Sequence, residues 1–303
     1  MYLHRDRDGR GKGNMVRYYC VAGRVLEIHA DFENEETEET ERFRTRGGKP
    51  RFRICFEKAE ALERPETPDI SMDPDSMVSV HMEKGEPVQI FHEGICGEMF
   101  ARAELNYKAG YERIRYLKRE ILQFENMRQC FRWIGIENIY AGLETVILHA
   151  ALVEAAGWGI LFMGPSGVGK STRADLWKRY GGADIINGDR VFVNRDPDGV
   201  WKAYGSPCAG SSGYYVNRQA PARAVVVIVR GGDDEVSLRR LKGAAAFREI
   251  YKNTALRRWN AYAAEAVSLV IAGMVREVPV YEMISPPDIR AVELLRKELW
   301  SDG

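Results

Sequence analysis

The 303-residue sequence predicts an α/β fold of the α+β kind: a mixed, hairpin-rich sheet with flanking helices, preceded by a small β-rich N-terminal unit. Three observations predict it. The first is a Gly-rich loop, GPSGVGKS (residues 164–171), set between the apolar run 160–163 and the helical pattern STRADLWKR. The second is a series of strand–turn–strand patterns after the loop, where alternation of strand and helix would build a parallel sheet. The third is period-2 alternation of apolar residues through much of the first hundred positions.

Composition sets the outer limits. Hydrophobic residues make up 45% and charged residues 29%, as in a folded globular chain. Lys plus Arg equals Asp plus Glu at 44 each, which supports neither a nucleic-acid partner nor an anionic membrane surface. No apolar run approaches the ~20 residues of a membrane span. The start, MYLHRDRDGRGKGN, is basic and lacks the apolar core of a secretion signal, so residues 1–14 are expected to be a disordered leader. Five scattered cysteines without a CxxC pair point to reduced thiols and a cytoplasmic protein.

Residues 15–103 form the β-rich unit: MVRYYCVAGRVLEIHA reads as one or two strands, and RFRICFEKAEAL and MVSVHMEKGEPVQIFHE as further strands. Between the first of these and the rest lies an acidic run and then a basic one, expected as a solvated loop or charged hairpin. Residues 104–143 read as a helical connector, because Leu105, Tyr111, Ile114, Leu117, Ile121, Phe124 and Met127 recur mostly at three- and four-residue steps. Its last part is a short helix over 137–143.

Residues 144–303 carry the loop domain. VILHAALVEAAGWGILFMG reads as a hairpin turning at 155–157, with His149 on its first strand. IINGDRVFVNRDPDGVWKAYG predicts a second hairpin, and ARAVVVIVR, a turn over 231–234 and EVSLRRL a third. FREIYKNTALRRWNAY reads as a helix with a basic face holding Arg248, Arg257 and Arg258. VPVYEMISPPDIRAVELLRKEL reads as a strand and an amphipathic helix that close the sheet.

The loop matches Gly-x-x-x-x-Gly-Lys-Ser/Thr in the strand-to-helix setting that gives the motif its meaning. Gly164, Gly167 and Gly169, interleaved with Pro165, Ser166 and Val168 and leading to Thr172, let successive N–H groups turn toward phosphate oxygens at a helix N-terminus. Lys170 is placed to reach the terminal phosphates and the Ser171 hydroxyl to ligate Mg²⁺. Asp189 lies after an apolar strand beyond the loop helix. There a carboxylate can orient the metal, accept a proton from an acceptor, or both. Arg190 is either a phosphate-neutralising cation or a solvated strand residue, and His149 either a site residue or a hydrogen-bonded strand histidine. GSPCAGSSGYY (205–215) is either a loop that covers substrate or nucleotide or an ordinary connection between strands.

With these residues in place, LHAALVEAAGWGILFMGPSGVGKST and the later INGDR together resemble the catalytic domain of HPr kinase/phosphorylase and its relatives. These include the kinases of lasso-peptide clusters, and the superfamily includes phosphoenolpyruvate carboxykinase. The resemblance spans roughly residues 140–300. It implies that superfamily's phosphate-loop fold, use of ATP and Mg²⁺, and γ-phosphoryl transfer to a hydroxyl, with serine expected. His149 matches the family's histidine, Lys170 its phosphate-contacting lysine, and Ser171 its metal-ligating hydroxyl. Asp189 matches the second acid of a pair, the base for the acceptor hydroxyl. The sequence departs from the family at Gly188, where the first acid is missing, and near Lys202, where a metal-binding glutamate is absent; the signature loop of the reverse reaction is absent too.

Two functions therefore stand: a Mg²⁺- and ATP-dependent kinase, or a nucleotide-binding regulatory or scaffold protein with weak catalysis. A carboxykinase-type decarboxylase is disfavoured by the short chain. The acceptor is expected to be a hydroxyl-bearing peptide, protein or small molecule, and a homo-oligomer is compatible with the sequence.

Overall fold

The structure is a computed structural model that describes residues 15–66, 71–72, 77–94, 97–208, 210, 212–232 and 234–300. The expected leader, Cys96 and part of the 231–234 turn lie outside the described residues. The chain divides into two compact units, residues 1–136 and 137–303.

The first unit contains β1 (Met15–Val21), β2 (Arg24–Ala30), the short helix α1 (Glu38–Glu41), β3 (Arg44–Thr45), β4 (Phe52–Ala59) and β5 (Ser71–Met72). It continues with β6 (Val78–Glu83), β7 (Glu86–His92), β8 (Met99–Asn106), β9 (Tyr111–Leu117), a 3₁₀ segment Lys118–Phe124 and helix α2 (Met127–Trp133). Among the described residues the strands make one nine-stranded sheet, ordered β3-β1-β2-β4-β9-β8-β7-β6-β5. Two internal pairings, β2–β4 and β4–β9, are parallel. Phe124 covers one face, with its ring 4.9 Å from Tyr116 and 5.3 Å from Phe56.

The expected helix over 104–135 is not formed. Its first half is the β8–β9 hairpin, and only α2 and the short helix after it are α-helical. The strand period is hidden by one polar residue on the buried face. Along YERIRYL the buried positions are Glu112, Ile114 and Tyr116, whereas the helical reading uses Tyr111, Ile114 and Leu117. Glu112 tolerates burial because its carboxylate accepts the Gly135 N–H at 3.0 and 3.1 Å.

The second unit contains α3 (Ile136–Gly142), β10 (Thr145–Ala155), β11 (Trp158–Met163), α4 (Lys170–Tyr180), β12 (Asp184–Asn187), β13 (Arg190–Arg195) and β14 (Trp201–Tyr204). Then come β15 (Gln219–Ile228), β16 (Ser237–Leu241), α5 (Gly243–Lys252), α6 (Ala261–Glu277), β17 (Val280–Ile284) and α7 (Ile289–Trp300). Its strands form a mixed sheet covered on both faces. Alternate residues of β10 divide between two cores: Leu148, Ala150 and Leu152 pack with α5 and α6 residues such as Ile250 and Ile271. Ala151 and Val153 pack with Trp177 of α4 and Leu295 of α7. This double coverage explains why β10 reads as a continuous apolar run rather than an alternating one.

The hairpins β10–β11 and β13–β14 form as expected, the first turning tightly at Ala156–Gly157. The third expected hairpin does not. β17 lies between β15 and β16, parallel to one and antiparallel to the other. The strand expected to close the sheet is therefore internal, and β16 is the edge. No helix among the described residues is long and apolar enough to cross a membrane.

Candidate active site

Strand β10 changes partners midway, and the site lies at that change. Along one edge Thr145–His149 pair with β13 and Leu152–Glu154 with β12, and along the other edge β11 pairs with Ala150–Ala155. Ala150 is registered with Met163, the last residue of β11, so His149 stands across from the beginning of the Gly-rich loop. The Ala150 N–H donates to the Asp189 carbonyl at 2.9 Å, which ties Asp189 to the same point. The His149 N–H donates instead to the Asn253 carbonyl at 2.8 Å.

The loop leaves β11 with Gly164, Gly167 and Gly169 all at positive φ (145°, 73° and 104°). Gly164 also has no room for a side chain, since a Cβ would stand 2.9 Å from Val168 Cγ1 and 3.0 Å from the Ile228 carbonyl. Gly169 is the N-cap of α4, and no side chain caps the helix there. Its first-turn N–H groups and the positive end of its dipole are thus presented to an anion. Pro165 and Ser166 are exposed on the loop, and Ser171 and Thr172 open α4 as exposed hydroxyls. The helix is anchored beneath by Trp177, which is fully buried.

Lys170 is only 8% exposed, and its ammonium donates to the Gly164 and Pro165 carbonyls at 3.0 and 3.2 Å. These acceptors are neutral, and no ion pair to Lys170 is formed among the described residues. Burial pushes the Lys170 ammonium below its ordinary value, and the field of Asp189 opposes that. Arg230, at the end of β15, brings a second cation to the loop by donating to the Gly167 carbonyl at 3.0 Å. Sequence reasoning missed it, because the parallel β11–β15 pairing that puts the two strand ends together leaves no local signal.

Asp189 meets His149 directly: Nε2 of the imidazole donates to Oδ1 at 3.2 Å. That hydrogen bond, together with the charges of Arg190 and Lys170, overcomes desolvation and holds the Asp189 carboxyl below the usual aspartate range. Asn187 shapes the turn, its side-chain carbonyl accepting the Asp189 and Arg190 N–H groups, each at 2.9 Å. No hydrogen bond links Ser171 to Asp189 among the described residues.

A Cβ at Gly188 would overlap Cβ and Oγ of Ser212, so Ser212 occupies the space beside position 188. The 205–215 loop also reaches Asp189, where a Cβ at Gly210 would stand 2.8–2.9 Å from the carboxyl group. Lys202 pairs with Asp196 at 2.7 Å in the β13–β14 hairpin.

Beside Asp189 lies an ion cluster built on one buried carboxylate. Glu137, at the start of α3, accepts from Arg190 Nη1 at 2.8 Å, with Arg257 Nε at 3.7 Å from its other oxygen. Arg257 is not on a helix, as its sequence suggested, but in the 253–260 connection between α5 and α6. Burial works to raise the Glu137 carboxyl, and the two guanidiniums outweigh it and hold it below its ordinary value. The two guanidiniums left by Glu137→Gln stay more than a third exposed, so the substitution is expected to destabilise the fold by about 1 kcal/mol, read as a lower denaturant midpoint. A carboxyl depressed in the folded state contributes stability that is complete above its unfolded value. The wild type should therefore lose stability as pH falls below about 4.3, and Glu137→Gln should lose less over the same window.

Among the described residues no three His, Cys, Asp or Glu side chains cluster as a metal cage. Mg²⁺ does not need one, since it is commonly held by one or two protein oxygens together with waters and substrate phosphates. The hydroxyl of Ser171 and the carboxylate of Asp189 are oxygen donors of that kind.

No family model matches the chain, and no curated protein matches it. Among solved structures the chain is similar to the Hpr(Ser) kinase/phosphatase from Coxiella burnetii, at 12% identity and a TM-score of 0.31, over 52% of this chain and 99% of that one.

Proposed function

We propose that this chain is a Mg²⁺- and ATP-dependent kinase that transfers the γ-phosphoryl group of ATP to a hydroxyl, serine being the expected one. The observation that carries this reading is the convergence of the Gly-rich loop, Lys170 and the His149-held Asp189 carboxylate at the point where β10 changes partners. The loop N–H groups and Lys170 hold the triphosphate, with Arg230 at the rim. Ser171 and Asp189 would hold Mg²⁺, which when bound neutralises phosphate charge.

The acceptor hydroxyl oxygen bonds to the γ-phosphorus as the bond to the bridging oxygen breaks. ADP leaves with that electron pair, and Asp189 takes the hydroxyl proton. A carboxyl held below its usual range is a weak base toward a free alcohol. In a loose phosphoryl-transfer transition state the hydroxyl becomes acidic only late, so Asp189 acts first by orienting it. His149 fixes the carboxylate through Nε2. The experiment is incubation with γ-labelled ATP and hydroxyl-bearing acceptors: label on an acceptor supports the kinase, and nucleotide binding without any transfer supports the regulatory alternative, which the single carboxylate favours.

A further inference from the structure

Arg190 and Arg257 converge on one buried carboxylate beside the reacting centre. Glu137 is 9% exposed, whereas the two arginine side chains remain 39% and 38% exposed. Arg190 is held by one hydrogen bond through Nη1, and Arg257 by an ion pair at 3.7 Å. A guanidinium has five donors in a fixed plane, and Glu137 can engage only some of them.

Both arginines are placed by backbone as well as by charge. Arg190 opens β13 directly after Asp189, and its Nε is 4.0 Å from Asp189 Oδ2, so the two side chains share one side. Residues 253–255 run beside β10: the Asn253 carbonyl accepts the His149 N–H, the Ala255 N–H donates to the Ile147 carbonyl at 2.8 Å, and Leu148 bridges Thr254. Arg257 comes two residues later, and its Nε stands 3.7 Å from the Glu137 carboxylate that Arg190 also meets.

Two guanidiniums and two carboxylates, Glu137 and Asp189, make up this group, but their pairing is loose: only Arg190 Nη1 to Glu137 is at hydrogen-bond distance, whereas Arg257 Nε stands 3.7 Å from Glu137 and Arg190 Nε 4.0 Å from Asp189. Guanidinium donors that Glu137 does not engage remain for an incoming anion, and those of Arg190 lie beside the proposed base. A carboxylate or phosphate fits such a paired fork with charge-assisted bonds.

We infer that the acceptor carries an anionic group, a carboxylate or a phosphate, close to its reacting hydroxyl, and that Arg190 and Arg257 form the subsite that receives it. This rests on the kinase reading above. In a peptide acceptor the anion belongs to a residue adjacent to the serine, since Arg190 is itself one residue from Asp189 and consecutive Cα atoms are about 3.8 Å apart. Arg257 acts here in binding and positioning.

The test is calorimetric titration of the full chain, with and without Mg²⁺ and a non-hydrolysable ATP analogue filling the loop. The probes are end-blocked Asp-Ser-Asp and Asn-Ser-Asn peptides and inorganic phosphate, which separate a carboxylate from a phosphate source. The acidic peptide or phosphate should bind about tenfold more tightly than the neutral peptide. In Arg257→Gln that preference should vanish, and in Arg257→Lys, which keeps the charge without the fork, it should be partly retained. Equal binding of the neutral peptide, no anion binding, or a preference that survives Arg257→Gln would overturn the proposal. The kinase reading fails separately, if labelled ATP transfers nothing to any hydroxyl while the anion preference holds.

Discussion

Lys170→Met is expected to lower phosphoryl transfer by about 10³-fold, with ATP affinity falling alongside. The reason is the state of the ammonium: it is almost wholly buried, yet its only hydrogen-bond acceptors among the described residues are the Gly164 and Pro165 carbonyls. A charge kept out of water and paired only with neutral oxygens gains most when an anion enters the loop. Methionine retains the apolar stem and removes the charge, so thermal unfolding should change little or shift upward. Equilibrium binding of ATP and ADP, compared with turnover, checks the result. A variant that binds and turns over ATP like the wild type would place the nucleotide elsewhere.

Asp189→Asn is expected to lower transfer by about 10³- to 10⁴-fold while ATP affinity changes far less. The substitution is nearly isosteric, and an amide oxygen can still accept the His149 Nε2–H now given to Oδ1. What disappears is the negative charge that orients the hydroxyl and takes its proton. No other carboxylate can stand in from position 188, because Ser212 fills the space a side chain there would need. The drop should therefore appear in kcat rather than in nucleotide binding. A regulatory nucleotide-binding protein would show no such separation.

The parts of the site that are legible in the sequence are those built locally. The loop, its strand and its helix lie within one stretch, and the β10–β11 hairpin that sets His149 across from the loop is a short-range pairing. Asp189 is legible because it comes directly after a short apolar strand. The long-range parts are not. The approach of Arg230 depends on a parallel pairing between strands some sixty residues apart, and that of Arg257 on a connection lying along β10. The insertion of β17 between β15 and β16 is of the same kind, since two strands that look like a hairpin in sequence are separated by a later arrival. In the first unit the error is one of period: a buried Glu112 with a backbone partner breaks the apolar alternation that would mark β9 as a strand.

The central claim is that Asp189 and Lys170 serve one phosphoryl transfer. Its most direct test is the full chain with Mg²⁺, γ-labelled ATP and a panel of serine peptides flanked by aspartate or asparagine, run beside Asp189→Asn. The account predicts label as phosphoserine with the wild type, on the aspartate-flanked peptides first. It predicts near-complete loss of that label in Asp189→Asn, with bound ATP retained. Transfer that continues at the wild-type rate in Asp189→Asn would contradict it.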